Sequence, residues 1–217
     1  MSPAALRDFV RRNTTLSELP DLPGVRLHRG GEDIMDLLER TGPATGQPDP
    51  PLPYWAYAWS GGLAIAHHLS AHPELVRGRD VLDIASGSGL CAIVAMRHGA
   101  RRAIAVDVDP LAAAAIAVNA RANAVRVAVM VADLLERPTD GWDLVLAGDI
   151  CYEEVMAERL VDWLARAARG GATVLIGDPG RRYRPADLVE VASYTVHTSL
   201  DIEESEFRRA GVFTVAQ

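Results

Sequence analysis

From Tyr54 onward the chain alternates two patterns, and this alternation constrains its fold more than any other feature. Short apolar runs end in an acid or a glycine, and alanine-rich segments with helical spacing follow them. The runs are Asp80–Ala85, Arg102–Asp107, Val125–Val131, Trp142–Gly148 and Ala172–Gly177. Helices are expected over Leu90–His98, Pro110–Ala122 and Glu153–Arg169, with Pro110 in a first turn, where its missing N–H costs nothing. Strands and helices of these lengths in alternation predict an α/β fold, a mostly parallel sheet with helices on both faces. The tail breaks the pattern. Val189–Thr198 and Gly211–Ala216 read as strands on either side of Asp201–Arg209, a segment too polar to bury. An antiparallel C-terminal strand pair closing such a sheet is unlike a plain dinucleotide-binding fold.

Residues 1–53 read as an N-terminal extension on a core domain spanning 54–217. The extension holds a short helix near Ala4–Arg12, a possible strand Val25–His28 and a helix over Asp33–Glu39. Five prolines and two glycines in Gly42–Pro53 predict an extended loop. The formal charge of −7 argues against a nucleic-acid partner, which would need Lys and Arg to neutralise phosphates. All 22 basic residues are arginine, which a biased genome explains. No apolar run approaches the ~20 residues of a membrane span, so no membrane partner is expected. Cys91 and Cys151 have neither metal-like nor redox-like spacing, and read as small core residues of a monomer in the reducing cytoplasm. The amino-terminal segment contains an acid and lacks the apolar core of a signal peptide, so an ordinary helix is expected there, with an organellar presequence as the alternative.

The ligand-binding candidates gather where strands end. Asp83-Ile84-Ala85-Ser86-Gly87-Ser88-Gly89-Leu90 turns the first core strand into a helix. Ala85, Ser86, Gly87 and Gly89 would bring backbone close to a ligand, and helix N-terminal amides favour a negative group. Asp107 closes the second strand, where a carboxylate can accept both hydroxyls of a ribose. Asp133 closes the third and could receive an adenine amino group, with Leu134 against the ring. NAD and S-adenosylmethionine both contain adenosine and both fit these acids. The dinucleotide fingerprint starts with Gly where this chain has Ala85, and the strand-pair tail offers no second mononucleotide half, which favours S-adenosylmethionine.

Asp149 and Tyr152, in Asp149-Ile150-Cys151-Tyr152, follow the fourth core strand. Read plainly, Asp149 caps the helix that follows and Tyr152 is a half-buried aromatic. His67, His68 and His72 read as helix surface or satisfied core, with a substrate contact by one of them as the alternative, and lack metal-ligand spacing to carboxylates. Arg181-Arg182-Tyr183-Arg184 reads either as a solvated charge run or as a grip for an acidic partner.

Taken together, Asp83–Gly89, Val106–Pro110, Ala132-Asp133 and Asp149-Ile150-Cys151-Tyr152 resemble the seven-stranded S-adenosylmethionine-dependent methyltransferases, and within them the Asp-x-x-Tyr protein-lysine branch. Pro53–Gly62, with Trp55 and Trp59, is similar to the aromatic segment that precedes that core, and Leu175–Arg181 to the end of the fifth strand in one subfamily. That subfamily methylates lysines of the electron transfer flavoprotein β subunit. The resemblance covers residues 25–216 and departs from the pattern at Ala85, where a glycine is usual. It implies a Rossmann-like seven-stranded fold with S-adenosyl-L-methionine as methyl donor and S-adenosyl-L-homocysteine as product. It further implies that Trp59 lies over the cofactor and that Asp83, Gly87, Asp107 and Asp133 contact it, while Trp55 packs in the core. Asp149 and Tyr152 become catalytic candidates. Because a carboxylate both attracts an ammonium and stabilises its charged form, Asp149 is assigned to capture and orientation rather than to proton removal. Tyr152 would wall the channel or also point its hydroxyl at the amine. The alternatives are methylation of a nicotinamide-type heteroaromatic nitrogen, methylation of a ribosomal-protein lysine, and a non-catalytic S-adenosylmethionine-binding module.

Overall fold

The computed structural model describes residues 2–31, 33–45, 49–198 and 205–215. In chain order the elements are α1 (Pro3–Asn13), β1 (Thr15–Leu19), β2 (Leu22–Arg29), α2 (Ile34–Thr45), α3 (Ser60–Ala71), β3 (Asp80–Ile84), α4 (Leu90–Arg97), β4 (Arg102–Asp107) and α5 (Pro110–Ala122). They continue with β5 (Ala128–Val131), β6 (Leu144–Gly148), α6 (Glu154–Arg169), β7 (Thr173–Asp178), β8 (Val189–His197) and β9 (Phe207–Thr214).

Seven strands form one sheet in the order β5-β4-β3-β6-β7-β9-β8. The first five are parallel, and β9 runs antiparallel to both its neighbours, β7 and β8. This is the mixed sheet expected from the sequence. Strand β3 is buried along its whole length, as a central parallel strand must be. Its side chains alternate between two cores: Val81 packs with α3 and α4, while Leu82 and Ile84 pack with α6. Helix α6 buries Ala157, Leu160, Trp163, Leu164 and Ala167, a stripe at helical spacing. The chain order reverses between β3 and β6, so the strand ends diverge there and leave a crevice at the carboxyl edge.

The β1–β2 hairpin packs on α5 through side-chain amides. Asn119 Oδ1 accepts from the His28 N–H at 2.7 Å and Asn123 Oδ1 from the Arg26 N–H at 2.9 Å. Asn119 Nδ2 also donates to the Ser88 carbonyl at 2.8 Å, which ties the hairpin to the glycine-rich turn. Asp109 caps α5 by accepting from the Leu111 N–H at 2.7 Å, with Pro110 in the first turn.

Strand β2 begins at Leu22 rather than Val25, and other elements also differ from the sequence reading. Strand β1, which pairs with β2, was not expected. Helix α2 runs through Gly42 and Pro43 to Thr45, into the segment read as a loop. One proline removes one backbone hydrogen bond without forbidding a helix, and the Thr41 and Thr45 hydroxyls donate to carbonyls one turn back at 2.8 and 2.9 Å. Residues 46–48 of that segment lie outside the described residues. Strand β5 begins at Ala128 rather than Val125, and β9 begins at Phe207 rather than Gly211. Polar residues at the start of β9 are accommodated because Phe207, Arg208 and Arg209 pair only with the outermost strand. Residues 201–204 of the intervening polar segment and Ala216 lie outside the described residues.

Candidate active site

A cavity of about 540 Å³ opens at the carboxyl edge, within the size range of small-molecule and cofactor sites. Trp59, Asp83, Ala85, Ser86, Gly87, Asp107, Asp133, Leu134, Asp149 and Tyr152 all line it. Gly89 does not. Its φ of 83° suits glycine, and an added Cβ would meet Ile116 of α5 at 3.1 Å, so its role is to pack the turn against a helix.

On the β3–β4–β5 side the carboxylates are held by neutral donors. Asp83 Oδ2 accepts from Ser86 Oγ at 2.5 Å and from the Ala92 N–H at 3.1 Å. Burial, with a smaller contribution from Asp107, outweighs these bonds and pushes the Asp83 carboxyl up to about 7. Asp107 accepts from the Gly87 N–H at 2.8 Å and the Asp109 N–H at 3.0 Å, and burial raises its carboxyl too. Asp133 accepts from the Leu135 N–H at 2.9 Å. Ala85 takes a left-handed φ of 50°, so the missing glycine leaves the turn in place and puts strain into it.

On the β6–β7 side the arrangement changes. Asp149, 7% exposed and at a left-handed φ of 55°, follows the end of β6 and donates its N–H to the Gly177 carbonyl at 2.9 Å. Its Oδ1 accepts from Arg181 Nε at 3.1 Å and Nη2 at 2.8 Å, and its Oδ2 accepts from the Gly61 N–H in the first turn of α3. Thus Asp149 is not the cap of α6. Glu153 occupies that position, without a side-chain bond, and Asp149 instead faces the N-terminus of a helix distant in sequence, where a negative charge is favoured. The approach needs glycines: a Cβ on Gly61 would lie 2.2 Å from the Gly177 oxygen and 2.6 Å from Asp149 Oδ2.

Arg181 also lies over the Trp59 ring at 5.8 Å, and Arg184 contacts Asp178 at 3.5 Å and the Phe213 ring at 4.4 Å. The reading of Arg181–Arg184 as a solvated run or a partner grip is therefore corrected for these two residues, which bond inward. The mouth is aromatic. Tyr152 is half exposed and sits 5.5 Å from Tyr54, whose ring meets Trp59 edge-on at 5.6 Å. Trp59 Nε1 donates to the Tyr54 carbonyl at 2.9 Å, which fixes the indole. Trp55 lines the cavity from inside the core, at 2% exposure.

Sequence reasoning missed Tyr54, Arg181 and the Gly61–Gly177 contact. Tyr54 stands beside Trp55 and Trp59 in the aromatic segment, which was signal enough. The other two depend on residues 32 and 88 positions from Asp149, which no local pattern connects. His67, His68 and His72 lie outside the cavity lining. The His67 ring stacks on Tyr194, His68 Nδ1 lies 3.0 Å from the Tyr194 hydroxyl, and His72 meets Glu74 at 3.2 Å. Among the described residues no group of three or more His, Cys, Asp or Glu side chains could hold a metal ion.

The model of the family described as "Ribosomal protein L11 methyltransferase (PrmA)" matches residues 68–177. The electron transfer flavoprotein beta subunit lysine methyltransferase of Homo sapiens is 44% identical over 131 residues, covering 59% of this chain and 50% of that protein. Its Danio rerio counterpart is 45% identical over 133 residues, covering 60% and 52%. The chain thus spans about half the length of these relatives. The ribosomal protein L11 methyltransferase of Bordetella parapertussis is 31% identical over 195 residues, covering 80% of this chain and 62% of that protein. Among solved structures, a magnesium protoporphyrin IX methyltransferase from Synechocystis superposes with a TM-score of 0.52 at 17% identity, covering 70% of this chain and 76% of that one. At that identity the likeness is one of fold.

Proposed function

This chain belongs to the ribosomal protein L11 methyltransferase (PrmA) family, and from that premise we propose that it transfers a methyl group from S-adenosylmethionine to lysine side chains of a protein. The favoured acceptor is the electron transfer flavoprotein β subunit, by the 44–45% identity to relatives bearing that name. One observation carries the reading. Asp149 opens onto the same cavity as Asp83, Asp107 and Asp133, so acceptor and donor sites are one space.

The residues present fit the cofactor. The cavity supplies an indole face at Trp59, carboxylates at three successive strand ends for hydroxyl, amine and adenine groups, and Leu134 for a ring. Bound there, S-adenosylmethionine would supply a sulfonium methyl that is already activated, which leaves the protein to position and desolvate the acceptor. A free lysine has a pKa of ~10.4, so an acceptor must lose its proton before its nitrogen can form the new N–C bond as the C–S bond breaks. Asp149 would orient the amine, Tyr54 and Tyr152 would wall its path, and the proton would leave to water. Tyr152 is no base at neutral pH, since burial, with Tyr54 and Asp107, raises its phenol further. We extend the reading to a monomer in the cytoplasm that acts on neither nucleic acid nor membrane. The acidic net charge and the free, buried thiols of Cys91 and Cys151 support that setting.

The test is incubation with labelled cofactor and purified flavoprotein β subunit, followed by mass spectrometry. Because the chain contains no lysine, every methyl-lysine found belongs to the acceptor. Methyl-lysine on the β subunit is expected, and Asp149→Ala should abolish it while leaving S-adenosylmethionine binding within a few-fold. Label on a ribosomal protein alone would move the reading to the second substrate, which the Bordetella relative favours. Label only in small molecules would refute protein methylation. Absence of cofactor binding in calorimetry would refute the enzyme altogether.

A further inference from the structure

Asp149 poses a chemical difficulty that its neighbours resolve. An unpaired buried carboxylate beside a lysine holds it as ammonium, the form that cannot accept a methyl group. Here the carboxylate already has a cation. Arg181 donates to Asp149 Oδ1 from both Nε and Nη2, and both residues line the cavity. The guanidinium is itself fixed, by the pair and by the Trp59 ring at 5.8 Å. We propose that Arg181 is a positioning residue for methyl transfer: by neutralising Asp149 it lets that carboxylate orient an incoming amine without stabilising the amine's charged form. This inference rests on the lysine reading above.

The remaining ionisable groups around the pair leave this compensation dominant. Cys91 from α4 and Cys151 from the Asp149 loop both feel Asp149, but burial pushes the first thiol well up and the second to about 12, so both stay neutral. The raised phenol of Tyr152 does too. Burial raises Asp83 from β3 to about 7 and raises Asp107 at the end of β4, and it raises Asp178 at the end of β7 despite Arg184 at 3.5 Å. With the cationic cofactor bound, Asp83 has already given up its proton, so its titration does not overlap that of the amine.

The experiment measures single-turnover methyl transfer to the flavoprotein β subunit against pH, at saturating cofactor and substrate, where the profile reports groups in the bound complex. Arg181→Gln keeps a donor to Asp149 and drops the charge, whereas Arg181→Lys keeps the charge and drops the fork. In Arg181→Gln the midpoint should rise by at least about one unit. The variant would then be about tenfold slower near pH 7.5 and approach the native rate at high pH, without a rise in KM. Arg181→Lys should keep the native midpoint at a lower plateau. An equal loss at every pH in both variants would mean that Arg181 is only structural and would overturn the inference. The native protein offers a check that needs no variant to fold: its midpoint must lie below the ~10.4 of free lysine, and a higher value refutes compensation. If the native protein makes no methyl-lysine at all, the lysine reading fails and this inference with it. Methyl-lysine with an unmoved midpoint in Arg181→Gln leaves that reading standing and removes only Arg181.

Discussion

Asp80 and Asp83 lie three residues apart on β3, yet their carboxyls are driven in opposite directions. Asp80, at the amino edge of the sheet, bonds Arg101 at 2.6 Å and Arg102 at 2.8 Å, and these arginines hold it down at about 2. Asp83, at the carboxyl edge, has a hydroxyl and an amide for partners, and burial takes it to about 7. The amino edge is stapled by full ion pairs and asks nothing of a ligand. At the carboxyl edge the carboxylates of the β3–β4–β5 half are fixed in place by neutral groups, which leaves their charge to be answered by whatever binds. Asp149 breaks that rule on its own edge, since Arg181 answers it within the chain. Orientation is thus built into both halves of the cavity, while net negative charge is reserved for the half assigned to the cofactor.

The tightest approach around Asp149 is that of Gly61, which meets the Gly177 carbonyl and Asp149 Oδ2. Gly61→Ala would drive a methyl group into the Gly177 backbone carbonyl, which has little room to yield, and into the Asp149 side chain at Oδ2. We expect a loss on the order of 3 kcal/mol in urea unfolding. Methyl transfer should fall far more than cofactor binding, because the displaced groups belong to the acceptor half. Equal losses in the two readouts would mean that the halves are not separable.

The Asp80–Asp83 contrast itself can be tested through the pH dependence of stability. Asp83 is raised in the folded state, so its contribution is fully present below about 3.8 and is lost as pH climbs through about 7. Replacing it with asparagine should therefore help increasingly across that window, by up to about 4 kcal/mol in the unliganded protein. Asp80 is depressed, so its contribution is present above about 3.8 and disappears as pH falls through about 2. Asp80→Asn should lower the melting temperature at neutral pH and converge with the native protein in acid. Melting curves from pH 2 to 8 on both variants check the pair of slopes. Slopes of the same sign would erase the distinction between the two edges. Calorimetry adds a further reading: cationic cofactor binding near pH 6 should expel a proton from Asp83, and Asp83→Asn should abolish that release.

How far the chain could be read beforehand follows from the same physics. Strands β3, β4, β6 and β7 and helices α4 to α6 were legible to within two residues, because each is a buried run or an apolar stripe punctuated by Gly, Pro or an acid. Strand β1 was not, since a two-stranded hairpin half in solvent carries no strong alternation. In the site, the strand-end carboxylates were legible because a parallel sheet delivers every strand end to one edge. What Asp149 does there was not legible. Its partners come from the first turn of α3, through the close approach of Gly61 to Gly177, and from the loop after β7, the strand paired beside β6.

The smallest expected effect separates strain in the ligand turn from strain elsewhere. Ala85 and Ala124 both hold left-handed backbones, at φ 50° and 55°, but only Ala85 lines the cavity, while Ala124 follows the end of α5. For a residue with a Cβ that conformation costs about 1–2 kcal/mol, and glycine avoids it at about 0.4–1 kcal/mol of extra unfolded-state entropy. Ala85→Gly and Ala124→Gly should therefore each stabilise the protein by about 0.5–1 kcal/mol in urea unfolding, and by similar amounts. They should differ in one respect. Removing the methyl group at position 85 changes a surface that the cofactor would touch, so S-adenosylmethionine affinity should shift in that variant and stay fixed in the other. If both affinities stay fixed, the alanine in the turn is a matter of backbone strain alone, and the neutral-donor half of the cavity tolerates it without consequence for binding.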